Sequence, residues 1–291
     1  MAGPVQPPAG TSSDAIAVYS LGSSKVESDR LLRQADELSV DSAALLDRVG
    51  LRPGQTAIDL GCGPRGILGL LAARVSPGGR VVGVDANPAH AAMAAEFAAR
   101  QGLPGVEIVT ADARHTGLPS GSFDLVHART LLINVPDPMR VVAEMVRLAR
   151  PGGWVAAMEP DSDYAVCHPP HPAFARICEI LPVVFNRNGA DWGVGRRVPE
   201  LFRRAGLVDV GVEARVQLYP PGNPRRTILA DLLRSMRPFV LEMGLASGAE
   251  LEELDAAARA YLEDPCTVAV DGLFYLVWGR KPSGTETRGF G

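Results

Sequence analysis

Three aspartates stand at the ends of short apolar runs, where a strand would give way to a loop. Asp59 lies near the end of TAIDL, Asp85 closes RVVGVD, and Asp112 follows VEIVTA. Parallel strands present their carboxyl ends at one edge of a sheet, so these side chains would face a common ligand. Asp85 could accept hydrogen bonds from both hydroxyls of a ribose, and Asp112 could accept one from an adenine amino group. These carboxylates therefore indicate the recognition of a nucleoside.

A glycine-rich turn, LGCGPRG, follows the first of these runs and precedes a helical pattern that begins at Ile67. Gly61 and Gly63 would let a ligand approach the backbone without meeting a Cβ. Strand-to-helix turns of this kind bind nucleotide-like ligands. With Gly66, the spacing also fits the dinucleotide fingerprint, and Asp85 lies at the distance expected of its ribose-binding acid. The turn alone leaves open S-adenosylmethionine, a nicotinamide dinucleotide, or tight packing without a ligand.

A carboxylate after the third run favours a nucleoside cofactor that has no pyrophosphate. Ala113 is small enough for an adenine ring to lie flat beside it. A dinucleotide would need more phosphate donors and a pocket for nicotinamide, whereas a methionyl group needs oxygen acceptors near the glycine turn. The balance favours S-adenosylmethionine. We expect it to contact Asp59, Gly61, Cys62, Gly63, Pro64, Asp85, Ala86, Asn87, Asp112, Ala113, Ala128 and Arg129.

Alternating strand and helix patterns would position these residues. Short β-branched runs separated by helices of this length specify a parallel sheet covered on both faces. The predicted strands are Gln55–Leu60, Arg80–Asp85, Val106–Ala111, Phe123–Ala128 and Trp154–Glu159. The predicted helices between them are Ile67–Val75, Pro88–Gln101 and Pro138–Ala149.

The flanks of this core divide the chain further. Residues 1–13 are poor in large apolar groups, and residues 14–50 carry two helical patterns that form an N-terminal arm. The cofactor-binding core spans residues 51–160, residues 161–280 hold insertions and two late strands, and residues 281–291 form a loose tail. The predicted elements of the fourth segment are the helices Phe174–Phe185, Val198–Ala205, Arg226–Glu242 and Ala249–Leu262 and the strands Val208–Tyr219 and Thr267–Arg280.

The composition excludes several classes of protein. The chain has 291 residues, a net charge of −4 and no basic run, which argues against nucleic-acid binding. No apolar run is long enough to cross a bilayer and no signal peptide is evident, so we expect no membrane association and a cytoplasmic location. Four cysteines in no paired motif predict neither disulfides nor a metal site. Whether the chain forms a homo-oligomer stays open.

The motifs together resemble a known family. The series IDLGCGPRG, VVGVDANP, VTADA, LPSGSFDLVHAR and LARPGG is similar to that of the class I S-adenosylmethionine-dependent methyltransferases, especially the ubiquinone/menaquinone-type and actinobacterial natural-product branch. The resemblance covers about Tyr19 to Arg280. It implies a Rossmann-like α/β fold with a seven-stranded, mostly parallel sheet, an antiparallel last strand and lid insertions. One departure is Arg65, followed by Gly66, at the third glycine of the family's G-x-G-x-G.

The same resemblance implies that the N-terminal arm covers the cofactor. Tyr19, Gly22, Arg30 and Gln34 would lie along this cover, with Arg30 as partner of the methionine carboxylate. An alternative for each is a solvated helix face or a turn.

Methyl transfer is an in-line displacement that needs an ordered nucleophile and little water. The insertions supply apolar residues for such an acceptor pocket, although they could equally pack the added helices together. The predicted acceptor-binding residues are Tyr164, Phe174, Ile177, Leu181, Phe185, Trp192, Met236 and Phe239.

An oxygen nucleophile would need a base, for which histidine is suited near neutral pH. His127, at the end of the fourth strand, and His168 are the histidine candidates, and Glu159 and Tyr19 are further ones, whereas His90 and His115 are assigned to the surface. A carbon acceptor would need less help, and the residues do not choose between the two. A non-methylating protein that binds S-adenosylmethionine and a nicotinamide-dependent reductase stay open as alternatives.

Overall fold

A seven-stranded sheet forms the centre of the computed structural model, which describes residues 25–103, 105–187 and 189–284. Tyr19 and Gly22 lie outside the described residues. The strands of the chain are β1 Thr56–Leu60, β2 Arg80–Asp85, β3 Val106–Thr110, β4 Phe123–Arg129, β5 Ala149–Asp161, β6 Val166–His168, β7 Val208–Val216, β8 Val268–Val270 and β9 Leu273–Arg280.

The strand order of the sheet is β3-β2-β1-β4-β5-β9-β7. Neighbours from β3 to β5 are parallel, and β9 runs antiparallel to both β5 and β7. The order reverses between β1 and β4, and in sheets of this type ligands bind outside the carboxyl ends of the strands at that reversal. The predicted α/β fold with a mostly parallel sheet is confirmed.

Helices cover both faces of the sheet. Ile58 and Leu60 of β1 belong to one apolar cluster and Ala57 to the other, as the two-residue period of a strand requires. The helices are α1 Lys25–Glu37, α2 Ser39–Val49, α3 Leu68–Val75, α4 Pro88–Arg100, α5 Pro138–Leu148, α6 Pro172–Arg187, α7 Val198–Arg204, α8 Ile228–Ser235, α9 Arg237–Glu242 and α10 Gly248–Glu263. None of the helices described has both the length and the apolar character needed to span a membrane.

Two predicted elements of the late segment are each divided in two. The run Thr267–Arg280 is not one strand, because the extended backbone is interrupted at Gly272, whose φ is +143°. A Cβ at this position would lie 2.7 Å from the carbonyl oxygen of Asp161. The first part, β8, pairs instead with β6 in a separate two-stranded sheet. The predicted helix Arg226–Glu242 is α8 followed by α9, and Pro238 in the first turn of α9 marks the division.

A further difference concerns the start of β5. The predicted strand Trp154–Glu159 is longer in the structure, because β5 begins at Ala149, includes Pro151-Gly152-Gly153 and pairs at Ala149 with Phe123 across an irregularity in the register. The other strand and helix bounds differ from the prediction by a few residues, as is usual for element ends. These differences leave the carboxyl ends of β1, β2 and β4 where the site requires them.

Candidate functional site

Three neighbouring cavities lie at the carboxyl ends of β1, β2 and β4. The strand-end cavity has an empty volume of about 910 Å³, the glycine-turn cavity about 340 Å³, and the lid cavity, beneath the late helices, about 540 Å³. The strand-end cavity is lined by these residues of the predicted cofactor set: Gly61, Gly63, Asp85, Ala86, Asn87, Asp112, Ala113 and Arg129. The glycine-turn cavity adds Gln34, Asp59, Cys62 and Pro64. Ala128 is buried and lines neither.

The glycine turn is shaped by the carboxylate of Asp59. Its Oδ2 accepts a hydrogen bond from the backbone N–H of Ile67 at 3.2 Å. Gly66 has a φ of +53°, and a Cβ there would lie 2.4 Å from the same oxygen, so a larger residue cannot occupy this position. Close packing against Asp59 therefore explains the presence of Gly66, the third glycine of the dinucleotide spacing.

Arg65, the departure from the family motif, does not enter the cavities. Its guanidinium donates to the carbonyl oxygen of Leu32 at 2.9 Å, pairs with Asp36 at 2.5 Å and lies 5.7 Å from the ring centre of Phe97. The side chain therefore connects α1 to the turn and leaves the space above Gly63 clear.

Asp85 lies at the end of β2 beside the turn. Its Oδ2 accepts from the N–H of Gly63 at 2.8 Å, and its Oδ1 accepts from the N–H of Asn87 at 2.9 Å. A carboxylate oxygen can accept a second hydrogen bond, so the carboxylate retains acceptor capacity on the cavity side. This arrangement suits a pair of ribose hydroxyls.

His90 corrects a prediction, because it is buried rather than on the surface. It lies in the first turn of α4, is 4% exposed and lines the strand-end cavity. Its Nδ1 is 3.8 Å from Oδ1 of Asp85, and its Nε2 has no hydrogen-bond partner among the described residues. The cavity thus presents a buried polar atom that a bound nucleoside could satisfy.

Asp112 lies across the strand-end cavity and is held by a residue that the sequence analysis missed. Arg114 donates to both carboxylate oxygens, with distances between 2.6 and 3.1 Å. The hydrogen bond from this guanidinium, despite partial burial, lowers the pKa of Asp112 below its ordinary value. Asp112 is therefore an ionised acceptor at neutral pH, oriented by its neighbour in sequence.

Arg129 supplies positive charge at the glycine turn. It is buried, lines both the strand-end and glycine-turn cavities, and donates from Nη1 to Oγ of Ser42 at 3.0 Å. Burial lowers its pKa to about 10, so it remains charged at neutral pH. The resemblance implied Arg30 as the partner of the methionine carboxylate. In the structure Arg30 lines the lid cavity instead, and its guanidinium donates to both carboxylate oxygens of Glu27.

Two of the predicted bases lie outside the three cavities. His127 is fully buried, because β4 lies in the middle of the sheet and is covered on both faces, and its Nδ1 is 2.8 Å from Oδ1 of Asp59. His168 is exposed on β6. Neither histidine therefore lines any of the three cavities.

Glu159, the third predicted base, is fully buried and also lies outside the cavities. Its oxygens accept from the N–H groups of Leu131, Leu132 and Ile133 at 2.9, 2.9 and 3.2 Å. Burial, opposed by these hydrogen bonds, raises its pKa to about 7. Its contacts hold the loop between β4 and α5 against the cavities.

The predicted acceptor residues divide between the lid cavity and the core. Phe185 and Trp192 line the lid cavity with ring centres 4.7 Å apart. Tyr164 is 48% exposed, with Arg196 over its ring. Phe174 borders a separate small cavity, Ile177, Leu181 and Met236 are buried in the apolar core, and Phe239 is half-buried against it. The lining residues that the sequence analysis missed are Thr130, Ile133, Asn134, Pro160, Ser162, Arg225, Ile228, Leu229, Asp271 and Phe274.

The fold is Rossmann-like, and the carboxylates at its strand ends form a candidate site for a nucleoside. A family model described as a methyltransferase domain matches residues 58–157. Trans-aconitate 2-methyltransferase of Methylobacterium radiotolerans is 30% identical over 250 residues, which cover 83% of this chain and 87% of that protein. Nocamycin O-methyltransferase of Saccharothrix syringae is 44% identical over 117 residues, 40% of this chain and 41% of that protein.

A solved S-adenosylmethionine-dependent methyltransferase from Aquifex aeolicus shares the fold, with a TM-score of 0.51 at 16% identity over 87% of this chain and 98% of that one. The chain spans only about two fifths of some curated relatives that it matches. The chain belongs to the class I S-adenosylmethionine-dependent methyltransferases, which confirms the resemblance. S-adenosylmethionine is accordingly the cofactor of this chain.

Proposed function

We propose that the chain transfers a methyl group from S-adenosylmethionine to an oxygen or carbon atom of a hydrophobic small molecule. The observation that carries the proposal is the position of the lid cavity. One wall of this cavity is apolar and includes Phe185, Trp192 and Phe274. The cavity shares Thr130 and Asn134 with the strand-end cavity and Thr130 and Gln34 with the glycine-turn cavity. An acceptor in the lid cavity would therefore adjoin the cofactor.

The chain's own residues would bind and orient the two reactants. Asp85 would accept the ribose hydroxyls, Asp112 would face the adenine, and Arg129 would pair with the methionine carboxylate. The bound cofactor supplies an electrophilic methyl group on a sulfonium. The apolar walls of the lid cavity would exclude water, which favours a displacement that disperses charge.

The relatives support a small molecule as the acceptor, and the cavity supports one with a hydrophobic part. One relative is named for nocamycin and another for trans-aconitate, both small molecules. The lid cavity joins an apolar wall to a polar one formed by Arg30, Arg225 and Asp271, which suits an apolar body with a polar end. We extend the proposal to natural-product biosynthesis in the cytoplasm, without nucleic acid or membrane as partner.

Binding and product mass test the proposal in sequence. Calorimetry should show S-adenosylhomocysteine binding that Asp85→Ala abolishes and Asp47→Ala, a surface control, leaves intact. Incubation with S-adenosylmethionine and a panel of hydrophobic phenols, carboxylic acids and trans-aconitate should then give a product heavier by one methyl group. Binding of NADH in place of S-adenosylhomocysteine would refute the proposal, and cofactor binding with no methylated product across such panels would favour a non-methylating protein.

A further inference from the structure

Thr130 occupies the point at which the three cavities meet. It follows β4 directly, and among the described residues it alone lines the strand-end, glycine-turn and lid cavities. If the proposed function holds, the cofactor fills the first two and the acceptor fills the third. Thr130 would then border both reactants.

The backbone of Thr130 is held in a conformation that a β-branched residue rarely adopts. Its φ is +50°, in the left-handed region. Its N–H donates to the carbonyl oxygen of Met158 at 2.9 Å, and its own carbonyl oxygen accepts from Nδ2 of Asn134 at 2.8 Å. The carboxylate of Glu159 accepts hydrogen bonds from the N–H groups of the three residues that follow Thr130. Strain of this kind persists where surrounding contacts enforce it, and it concentrates at functional sites.

The side chain of Thr130 is also oriented. Its hydroxyl donates to the carbonyl oxygen of Arg129 at 2.8 Å and accepts from Nε2 of Gln34 at 3.1 Å. Oε1 of Gln34 in turn accepts from Nη1 of Arg30 at 2.7 Å and from Nη1 of Arg225 at 3.3 Å. A hydroxyl oxygen can accept two hydrogen bonds, and the described residues supply one.

We propose that Thr130 is a positioning residue that marks the point of methyl transfer, where its hydroxyl oxygen accepts a hydrogen bond from the reacting hydroxyl of an oxygen acceptor and so holds that atom against the cofactor methyl group. The inference rests on the proposed function, and it makes a prediction that needs no knowledge of the acceptor. A thiol placed at this position should itself become the acceptor.

The test is Thr130→Cys incubated with S-adenosylmethionine alone. The thiol loses its proton to solvent, its sulfur forms a bond to the methyl carbon, the bond from that carbon to the sulfonium breaks, and S-adenosylhomocysteine leaves. Digestion with trypsin isolates residues 130–140, because Arg129 and Arg140 flank the cleavage sites. We expect this peptide to gain the mass of one methyl group.

Two controls accompany the thiol variant. Asp209 also has a left-handed φ, of +51°, but lines none of the three cavities, so Asp209→Cys should stay unmethylated. The native Cys62 lines only the glycine-turn cavity and should stay unmethylated as well. The inference would be overturned if a control cysteine were methylated to the same extent as the thiol of the Thr130→Cys variant. It would also be overturned if the Thr130→Cys variant bound S-adenosylhomocysteine but its thiol gained no methyl group. If the protein without substitutions did not bind S-adenosylhomocysteine, the proposed function itself would be refuted.

A second variant keeps the inference testable if the thiol variant does not fold. Thr130→Gly suits the left-handed backbone and opens space at the same point. With 2-mercaptoethanol as the probe, this variant should form the S-methyl thioether at least tenfold faster than Asp209→Gly or the unmodified protein. No increase in the rate would count against Thr130.

Discussion

Nδ1 of His127 lies 2.8 Å from Oδ1 of Asp59, and both side chains are buried beneath the glycine turn. The pairing follows from the sheet, because these two residues are register partners on β1 and β4. Oδ2 of the same aspartate holds the N–H of Ile67 at the start of α3. His127 therefore supports the turn rather than the acceptor.

Replacing His127 should lower stability. His127→Ala leaves Asp59 without its buried partner, and breaking a buried pair of this kind costs about 3 kcal/mol of unfolding free energy. Urea denaturation measures the loss, with the exposed His115→Ala as control. A variant that keeps full stability but loses methyl transfer would restore His127 as a candidate base.

Glu159 should make stability depend on pH. Its pKa in the folded protein is about 7, against an ordinary value of 4.5. Since the folded protein keeps this proton to higher pH than the unfolded chain does, the associated stability is fully present below about pH 4.5 and is lost as pH rises through 7. The linked free energy is on the order of 3 kcal/mol.

Glu159→Gln removes this dependence, because an amide does not titrate. The Tm of the unmodified protein, measured against that of the variant, should fall between pH 5 and pH 8. Parallel Tm curves for the two proteins over this range would contradict the assignment.

Arg129 rather than Arg30 should govern affinity for the methionine end of the cofactor. Arg129→Lys keeps the charge but loses the planar fork, so binding of S-adenosylhomocysteine should weaken about tenfold. Methylthioadenosine lacks the amino-acid carboxylate, and its affinity should change little. Calorimetry with both ligands, and with Arg30→Lys as the matched control, decides between the two arginines; a tenfold loss confined to Arg30→Lys would favour the residue implied by the resemblance.

Restoring the family glycine at Arg65 should affect the fold and not the cofactor. Arg65→Gly removes the contacts to Leu32, Asp36 and Phe97, and the loss of these partly exposed contacts should cost about 1 kcal/mol. The Kd of S-adenosylhomocysteine should stay within about twofold of that of the unmodified protein. A large gain in affinity would show that Arg65 distorts the turn.

Much of the lining of the strand-end cavity could be predicted because it follows from regular structure. Asp85 and Asp112 stand at the ends of parallel strands, and such ends converge whatever the loops do. Gly61 and Gly63 can be recognised from the glycine-rich turn itself. Each of these four residues can therefore be identified from a short stretch of sequence.

The acceptor side could not be predicted in the same way. Arg225 and Asp271 meet at 2.7 Å although 46 residues separate them, and no motif marks either. Thr130 gains its importance from a backbone conformation that residue type alone does not suggest. The position of His127 could not be predicted either, because its place after an apolar run does not reveal that Asp59 would be its partner on the neighbouring strand.

The break between β8 and β9 bears on how specificity could change over time. Gly272 lets the backbone turn aside, and this turn brings Asp271 to Arg225 at the polar end of the lid cavity. The strands that carry the carboxylates of the cofactor side take no part in it. In proteins descended from this chain, substitutions at Asp271 and Gly272 alone would therefore change which acceptor is preferred. The residues proposed to bind the methyl donor would stay the same.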